Sequence, residues 1–297
     1  MNVYDCFMYF DEDLVLDVRL NILDKYVDYF VIIESIFNHK GEKRSLKFNI
    51  EKFKKFENKI KYFVCDELPD NLEEITHKDI GVLKERKFIN NAVKRENFQR
   101  NYILKGLVDA KENDFILVSD LDEIPNLQKI NIDNIKEKII LFKQVMTYYK
   151  FNLGLPNYWW YGTKGCLKKN LKSPQWLRNI KSKKYSLFRL DIMFSNLKFN
   201  NIKIIDNGGW HFTNIKTPED IEIKLKSYLH HREFELSKTS LNDIYNIINS
   251  KNAIYNLGVD QRNWKKIGTG KKLENLDDNN LPKYIVDNKK KFFDWFD

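Results

Sequence analysis

Phe115-Ile116-Leu117-Val118-Ser119-Asp120-Leu121-Asp122-Glu123-Ile124-Pro125 sets an apolar run of four directly against three carboxylates. A short apolar run bounded by turn signals reads as a strand buried on both faces, the habit of strands in parallel sheets. Ligands of such sheets bind beyond the carboxyl ends of the strands. Two readings of Asp120-Leu121-Asp122 stand side by side. In one, the carboxylates grip a hard divalent cation that also touches substrate phosphates. In the other, they form a polar loop that caps the next helix. The preceding strand and Pro125, which stiffens the exit, favour the metal.

Working outward, the first part of the chain alternates two periods. Val3 to Phe10, Tyr29 to Glu34 and Lys59 to Cys65 read as strands. Asp13 to Lys25 reads as a helix, with Leu14, Val18 and Ile22 spaced by four. Asn38 to Arg44 and Asp66 to Lys78 read as loops, and Gly81 to Ala110 as a long helix with room for one break. Alternation of this kind predicts an α/β fold with a Rossmann-type, mostly parallel sheet flanked by helices.

The second half is less regular. Ile139 to Phe151 is a strand-like run, Asn157 to Lys172 is rich in aromatics, and Tyr185 to Leu190 and Ile202 to Ile205 read as strands. Asn207-Gly208-Gly209-Trp210-His211-Phe212 is a sharp turn into an aromatic segment. Pro218 to His231 and Leu241 to Lys251 read as helices, and Gly268 to Pro282 as loop. No internal repeat is evident. The expected organisation is a catalytic domain over residues 1–235 and a helical extension over 236–297 packed on it.

Composition narrows the function classes. At 42% hydrophobic and 14% aromatic, the 297 residues carry ample material for a core. The net charge of +9 attracts anions. The basic residues form no obvious stripe, so a nucleic-acid acceptor ranks low. Cys6, Cys65 and Cys166 are far apart, without a CxxC pair, which suits a reducing, cytoplasmic setting. No run is long enough to span a membrane, and the first residues do not read as a signal peptide. Lys289 to Phe296 mixes lysines with large rings. That pattern fits peripheral contact with an anionic membrane or a tail docked on its own domain. Oligomeric state is not legible.

Further candidates carry a structural and a functional reading each. Glu34 ends a strand, where nucleotide contacts are common, or forms an ion pair. Glu96 and Arg100 are four apart on a helix: a local ion pair, or an arginine reaching diphosphate with Glu96 orienting it. His211 follows two glycines and is a metal ligand, a diphosphate contact or a core histidine. Glu233 and Asp206 are candidate bases for an acceptor hydroxyl, or members of surface ion pairs. Tyr158 to Tyr161 offer flat rings for a sugar or base, or pack in the core. Lys164 contacts a donor diphosphate or is solvated.

These pieces occur in an order that resembles glycosyltransferase family 17, whose best-known members add the bisecting GlcNAc of N-glycans. The resemblance is carried by Val118 to Pro125, Tyr4-Asp5-Cys6-Phe7, Val31-Ile32-Ile33-Glu34-Ser35 and Glu96-Asn97-Phe98-Gln99-Arg100-Asn101. Trp160-Tyr161-Gly162-Thr163-Lys164, Gly208-Gly209-Trp210-His211-Phe212 and His231-Arg232-Glu233 complete it, over roughly residues 3 to 235. The resemblance implies a GT-A-like fold, a UDP-sugar donor such as UDP-GlcNAc, a glycan acceptor, Mn²⁺ or Mg²⁺, and inversion at the anomeric carbon. Asp120, Asp122, Glu123 and His211 then stand as the metal set. Glu34, Glu96, Arg100, Asp120, Lys164 and Trp210 stand as donor-binding residues. The membrane anchor of the eukaryotic members has no counterpart in this sequence. A transferase acting on nucleic acid and a non-catalytic carbohydrate-binding protein on the same fold are the rival readings.

Overall fold

The computed structural model describes residues 1–186, 190–192, 194–258 and 266–297. Strands β1 (Val3–Tyr9), β2 (Tyr29–Ser35), β3 (Ile60–Cys65) and β4 (Phe115–Val118) form where the apolar runs predict them. Later strands are β5 (Glu123–Pro125), β6 (Ile139–Phe142), β7 (Gln144–Tyr148) and β8 (Leu153–Trp160), then β9 (Lys164–Leu167), β10 (Ile202–Ile205), β11 (Gly209–Thr213) and β12 (Glu274–Asn275). One sheet of seven strands runs β10-β6-β9-β4-β1-β2-β3. It is parallel except at β9, which pairs antiparallel with both neighbours. The protein is thus a mixed α/β molecule with a mostly parallel central sheet.

The side-chain alternation of a strand divides the core in two. Val3, Phe7, Phe30, Ile32, Phe115 and Leu117 face one side of the sheet. There α1 (Asp13–Leu23) lays down Val15, Leu16, Leu20 and Leu23. Tyr4, Cys6, Val31, Ile33, Ile116 and Val118 face the other. They meet Ile103 and Leu107 after α2 (Gly81–Asn101), and Leu177 of α3 (Pro174–Asn179). The long helix expected over 81–110 therefore gives way at Tyr102, where a 3₁₀ segment continues to Leu107.

A second sheet, absent from the sequence reading, has five strands in the order β12-β8-β7-β11-β5. The run from Ile139 to Phe151, expected as one strand, is cut at Lys143: β6 lies in the first sheet and β7 in the second. The helix expected over 218–231 is likewise two, α4 (Pro218–Ser227) and α5 (His231–Ser237). Thr217 caps the first, accepting from the Asp220 amide. The 185–190 strand expectation falls partly outside the described residues; 185 and 186 are not in a strand, and Leu190 opens a 3₁₀ turn.

The final segment holds more than helices. It carries α6 (Leu241–Asn249) and α7 (Lys283–Asp287), and it also supplies β12 to the second sheet, within the expected loop. Ile285 and Phe292 are buried in the same core as α1, and Trp295 and Phe296 pack against it. Lys291 donates to Asp17 at 2.6 Å. Phe293 alone of these rings is largely exposed. No described helix is long and apolar enough to cross a membrane.

Candidate functional site

The carboxyl ends of β4, β1 and β2 open together into one cavity of about 450 Å³. Met8, Tyr9 and Phe10 close one wall at the end of β1, Ser35, Phe37, Asn38 and His39 at the end of β2, and Asp120 to Asp122 after β4. The second sheet supplies the facing wall through Tyr148, Tyr158, Trp160, His211 and Thr213, and α4 adds Lys224.

The acidic turn owes its shape to Arg19. This arginine sits on the apolar face of α1 and is completely buried. It binds both oxygens of Asp5, at 2.7 and 2.6 Å, in a bidentate pair. Its remaining nitrogen donates to the carbonyls of Asp120, Leu121 and Glu123. Ser119 Oγ accepts from it too, at 2.6 Å. The backbone of the turn is therefore tied to β1 and α1 before any side chain beyond it is considered. Sequence reasoning passed over Arg19, although a lone arginine among Leu16, Leu20 and Leu23 was a readable signal.

The three carboxylates of the turn have separate fates. Glu123 is fully buried and faces away from the cavity. It accepts from Trp160 Nε1 at 2.6 Å, from Arg178 at 2.7 and 3.1 Å and from the Asp120 amide at 2.8 Å. Asp120 lines the cavity, held between Arg100 at 3.0 Å and Arg178 at 2.8 Å. Burial would raise its pKa, but those two guanidinium groups hold it far below the ordinary range. Asp122 stands 3.5 Å from His211 Nε2 and 3.6 Å from Lys224 Nζ. Burial pushes Asp122 up as well; the imidazole and the ammonium outweigh it and bring it down to about 2.

Among the described residues no cage of three or more His, Cys, Asp or Glu side chains converges on one point. Two do approach. Adjacent ligands of an octahedral ion stand roughly 3 Å apart, given bonds of about 2.1 Å. Asp122 Oδ1 and His211 Nε2, at 3.5 Å, are close to that spacing and border the cavity. His211 Nδ1 is buried with no hydrogen-bond partner among the described residues, and Nε2 also meets Thr213 Oγ1 at 3.2 Å. Glu123 is fully buried and does not line the cavity, and each Asp120 oxygen already carries an arginine although that side chain is 38% exposed. The donor set therefore fits a cation that takes Asp122 and His211 from the protein and its other oxygens from substrate or water.

Of the other sequence candidates, Glu96 borders the cavity and orients Arg100 at 2.8 Å. Glu34 is buried behind it, bound to Arg44 at 3.0 Å and to the amides of Lys47 and Phe48. Lys164 donates to the carbonyls of Arg178 and Ile180 at the end of α3, away from the cavity. Burial foremost, and then Arg178, bring its pKa down to about 7. Trp210 donates to the Asn280 carbonyl and lies outside the cavity wall. Asp206 is 76% exposed in a surface pair with Lys143. Glu233 is buried and does not line the cavity, but its partner His230, at 2.8 Å, does.

Sequence reasoning also missed Arg178, Glu12 and Lys224. Lys224 sits 3.6 Å from both Glu12 and Asp122. Burial would lower its pKa, and Asp122, Glu12 and Asp11 raise it instead. No local pattern marks these residues, because each meets its partner across a long stretch of chain.

The order of motifs is matched by the whole chain: the family model for glycosyltransferase family 17 matches residues 1–295. The chain belongs to glycosyltransferase family 17. The match runs past residue 235, where the recognisable motifs end, so the C-terminal segment is part of what makes a family 17 chain. Membership gives the reaction class, transfer of a sugar from a donor to an acceptor. No curated protein sequence matches the chain. Among solved structures, HddC from Yersinia pseudotuberculosis matches 68% of this chain and 89% of its own at 10% identity, with a TM-score of 0.31, a likeness too loose to characterise the site.

Proposed function

We propose that this family 17 protein is an inverting, GT-A-like transferase. It takes its sugar, with GlcNAc the first candidate, from a UDP-sugar, and uses Mn²⁺ or Mg²⁺ held by Asp122 and His211. The observation that carries the reading is the Asp122–His211 pair, 3.5 Å apart on the wall of a cavity at the carboxyl ends of three neighbouring strands. The ion would supply positive charge to the leaving diphosphate.

The chain's own residues share that task. Lys224 lines the cavity beside Asp122 and can meet a phosphate oxygen directly. Arg100 and Arg178 hold Asp120 ionised, which keeps one fixed acceptor at the cavity wall for a donor hydroxyl. Phe10 and Phe37, with Arg44 stacked 4.2 Å over Phe10, form an apolar and cationic end suited to a nucleoside. Tyr148, Tyr158 and Trp160 of the second sheet offer flat rings to the sugar.

A thermal-shift panel of UDP-GlcNAc, UDP-glucose and UDP-galactose, with and without Mn²⁺, tests this. A bound donor should raise Tm, and Mn²⁺ should enlarge the rise. Asp122→Asn should abolish the Mn²⁺ increment. Persistence of that increment in the variant removes Asp122 from the metal, and a panel that shifts nothing removes the donor class.

A further inference from the structure

We infer that His230 is the catalytic base that takes the acceptor's proton and that Glu233 is the positioning residue that aims it. This rests on the transferase reading above, and it replaces Glu233 and Asp206 as the proton acceptor. Asp206 stands on the surface with Lys143, outside the cavity. Glu233 is 4% exposed, too deep to touch an acceptor. His230, which caps the start of α5, stands between Glu233 and the cavity: its side chain is 32% exposed and borders the cavity.

Two groups meet His230 Nδ1, and the shorter contact sets the tautomer. Glu233 Oε1 lies 2.8 Å from His230 Nδ1. An ionised carboxylate only accepts, so Nδ1 carries the hydrogen and Nε2 is left with its lone pair. Burial would raise the Glu233 pKa, and the His230 contact and Lys266 lower it. Nε2 makes no hydrogen bond among the described residues. The Lys266 ammonium is 3.3 Å from Nδ1 and 3.7 Å from Glu233 Oε1. With Nδ1 protonated, Lys266 acts as counter-charge to Glu233, not as a donor to the ring. The Tyr228 ring meets the imidazole edge to face, with centroids 5.5 Å apart, and Tyr228 is in turn bonded to Tyr255. Glu233, Lys266 and Tyr228 thus meet the base directly, and Tyr255 stands behind Tyr228 and Lys266. Glu233 Oε2 is buried and without a partner among the described residues, so the carboxylate's side-chain hydrogen bond is the one to His230.

The step balances. The acceptor hydroxyl gives its proton to His230 Nε2 while its oxygen bonds to the anomeric carbon. The bond from that carbon to the donor phosphate oxygen breaks, and its electron pair leaves with the nucleotide diphosphate.

The test uses full-length protein and water as the acceptor, following UDP release from UDP-GlcNAc, UDP-glucose and UDP-galactose, with UDP affinity measured alongside. His230→Gln should lower release by about 10²- to 10⁴-fold, the usual worth of a general base, with UDP affinity unchanged. Glu233→Gln should lower kcat less and move the acid limb of the rate profile toward lower pH, and Glu233→Asp should restore part of it. A merely structural Glu233 would leave that limb in place. Release by His230→Gln within about threefold of wild type, with UDP still bound, overturns the dyad and leaves the transferase reading standing. A wild-type protein that neither binds UDP nor releases it overturns both.

Discussion

Replacing Arg178 by methionine isolates the clamp on the acidic turn. The wild-type guanidinium makes one bond to Asp120 at 2.8 Å and two to Glu123 at 2.7 and 3.1 Å, and it also donates to the Gly162 carbonyl. Glu123 has no exposed surface, so its carboxylate cannot turn to water. Removing one partner of a buried pair costs about 3–5 kcal/mol. Asp120 adds little to that sum, because its side chain is 38% exposed and keeps Arg100. With an unfolding entropy of roughly 2.1 cal/mol/K per residue over this length, Tm should fall by ~5–8 °C near neutral pH. The sign with pH follows from Asp120, whose pKa is depressed in the folded state. Its stabilisation is present above its unfolded value of about 3.9 and is lost as pH falls toward the folded one. The part of the Arg178→Met deficit that comes from Asp120 should therefore be complete above about pH 5 and shrink below pH 4. Differential scanning calorimetry between pH 3.5 and 7.5 measures it. A deficit under about 1 °C at pH 7.5, or one that grows on acidification, refutes the clamp.

Two further outcomes follow from packing and burial. Phe292→Ala should lower Tm by an amount like that of Arg178→Met, since deleting a buried phenylalanine ring costs about 3–5 kcal/mol, whereas Phe293→Ala should stay within about 0.5 kcal/mol. Equal effects in thermal melts would contradict the docked tail. Lys164, whose folded pKa is about 7 against an ordinary 10.5, opposes folding most at and below neutral pH and progressively less as pH rises toward 10.5. Wild-type Tm measured relative to Lys164→Met should accordingly rise between pH 7 and pH 9.5, and a flat difference would show that the buried ammonium is fully accommodated.

What could be read in the sequence was local. β1, β2 and β4 declared themselves as apolar runs, and the position of Asp120 and Asp122 after β4 followed from the run before them. Glu96, Arg100, Asp120, Asp122 and His211 do meet around the cavity, Arg100 through its bond to Asp120. Patterning reports that a segment is buried, not against which partner. The break at Lys143, which sends β6 and β7 to different sheets, leaves no trace in a continuous apolar run. Glu34, Lys164 and Glu123 were readable as charges near strand ends, but all three are buried: backbone amides take up Glu34, carbonyls Lys164, and Trp160 with Arg178 takes up Glu123. Arg178 reaches Glu123 across 55 positions, and Arg19 reaches the turn across about 100, so neither could be paired by spacing alone.

The docking of residues 283–297 against α1 has a bearing on synthesis. Asp17 is translated 274 positions before Lys291, its eventual partner, and Val15 and Leu16 wait nearly as long for Ile285 and Phe292. Until then the nascent chain carries an uncovered apolar face on α1, the kind of surface that chaperones hold. The apolar face of α1 is thus among the last surfaces of the fold to be sealed.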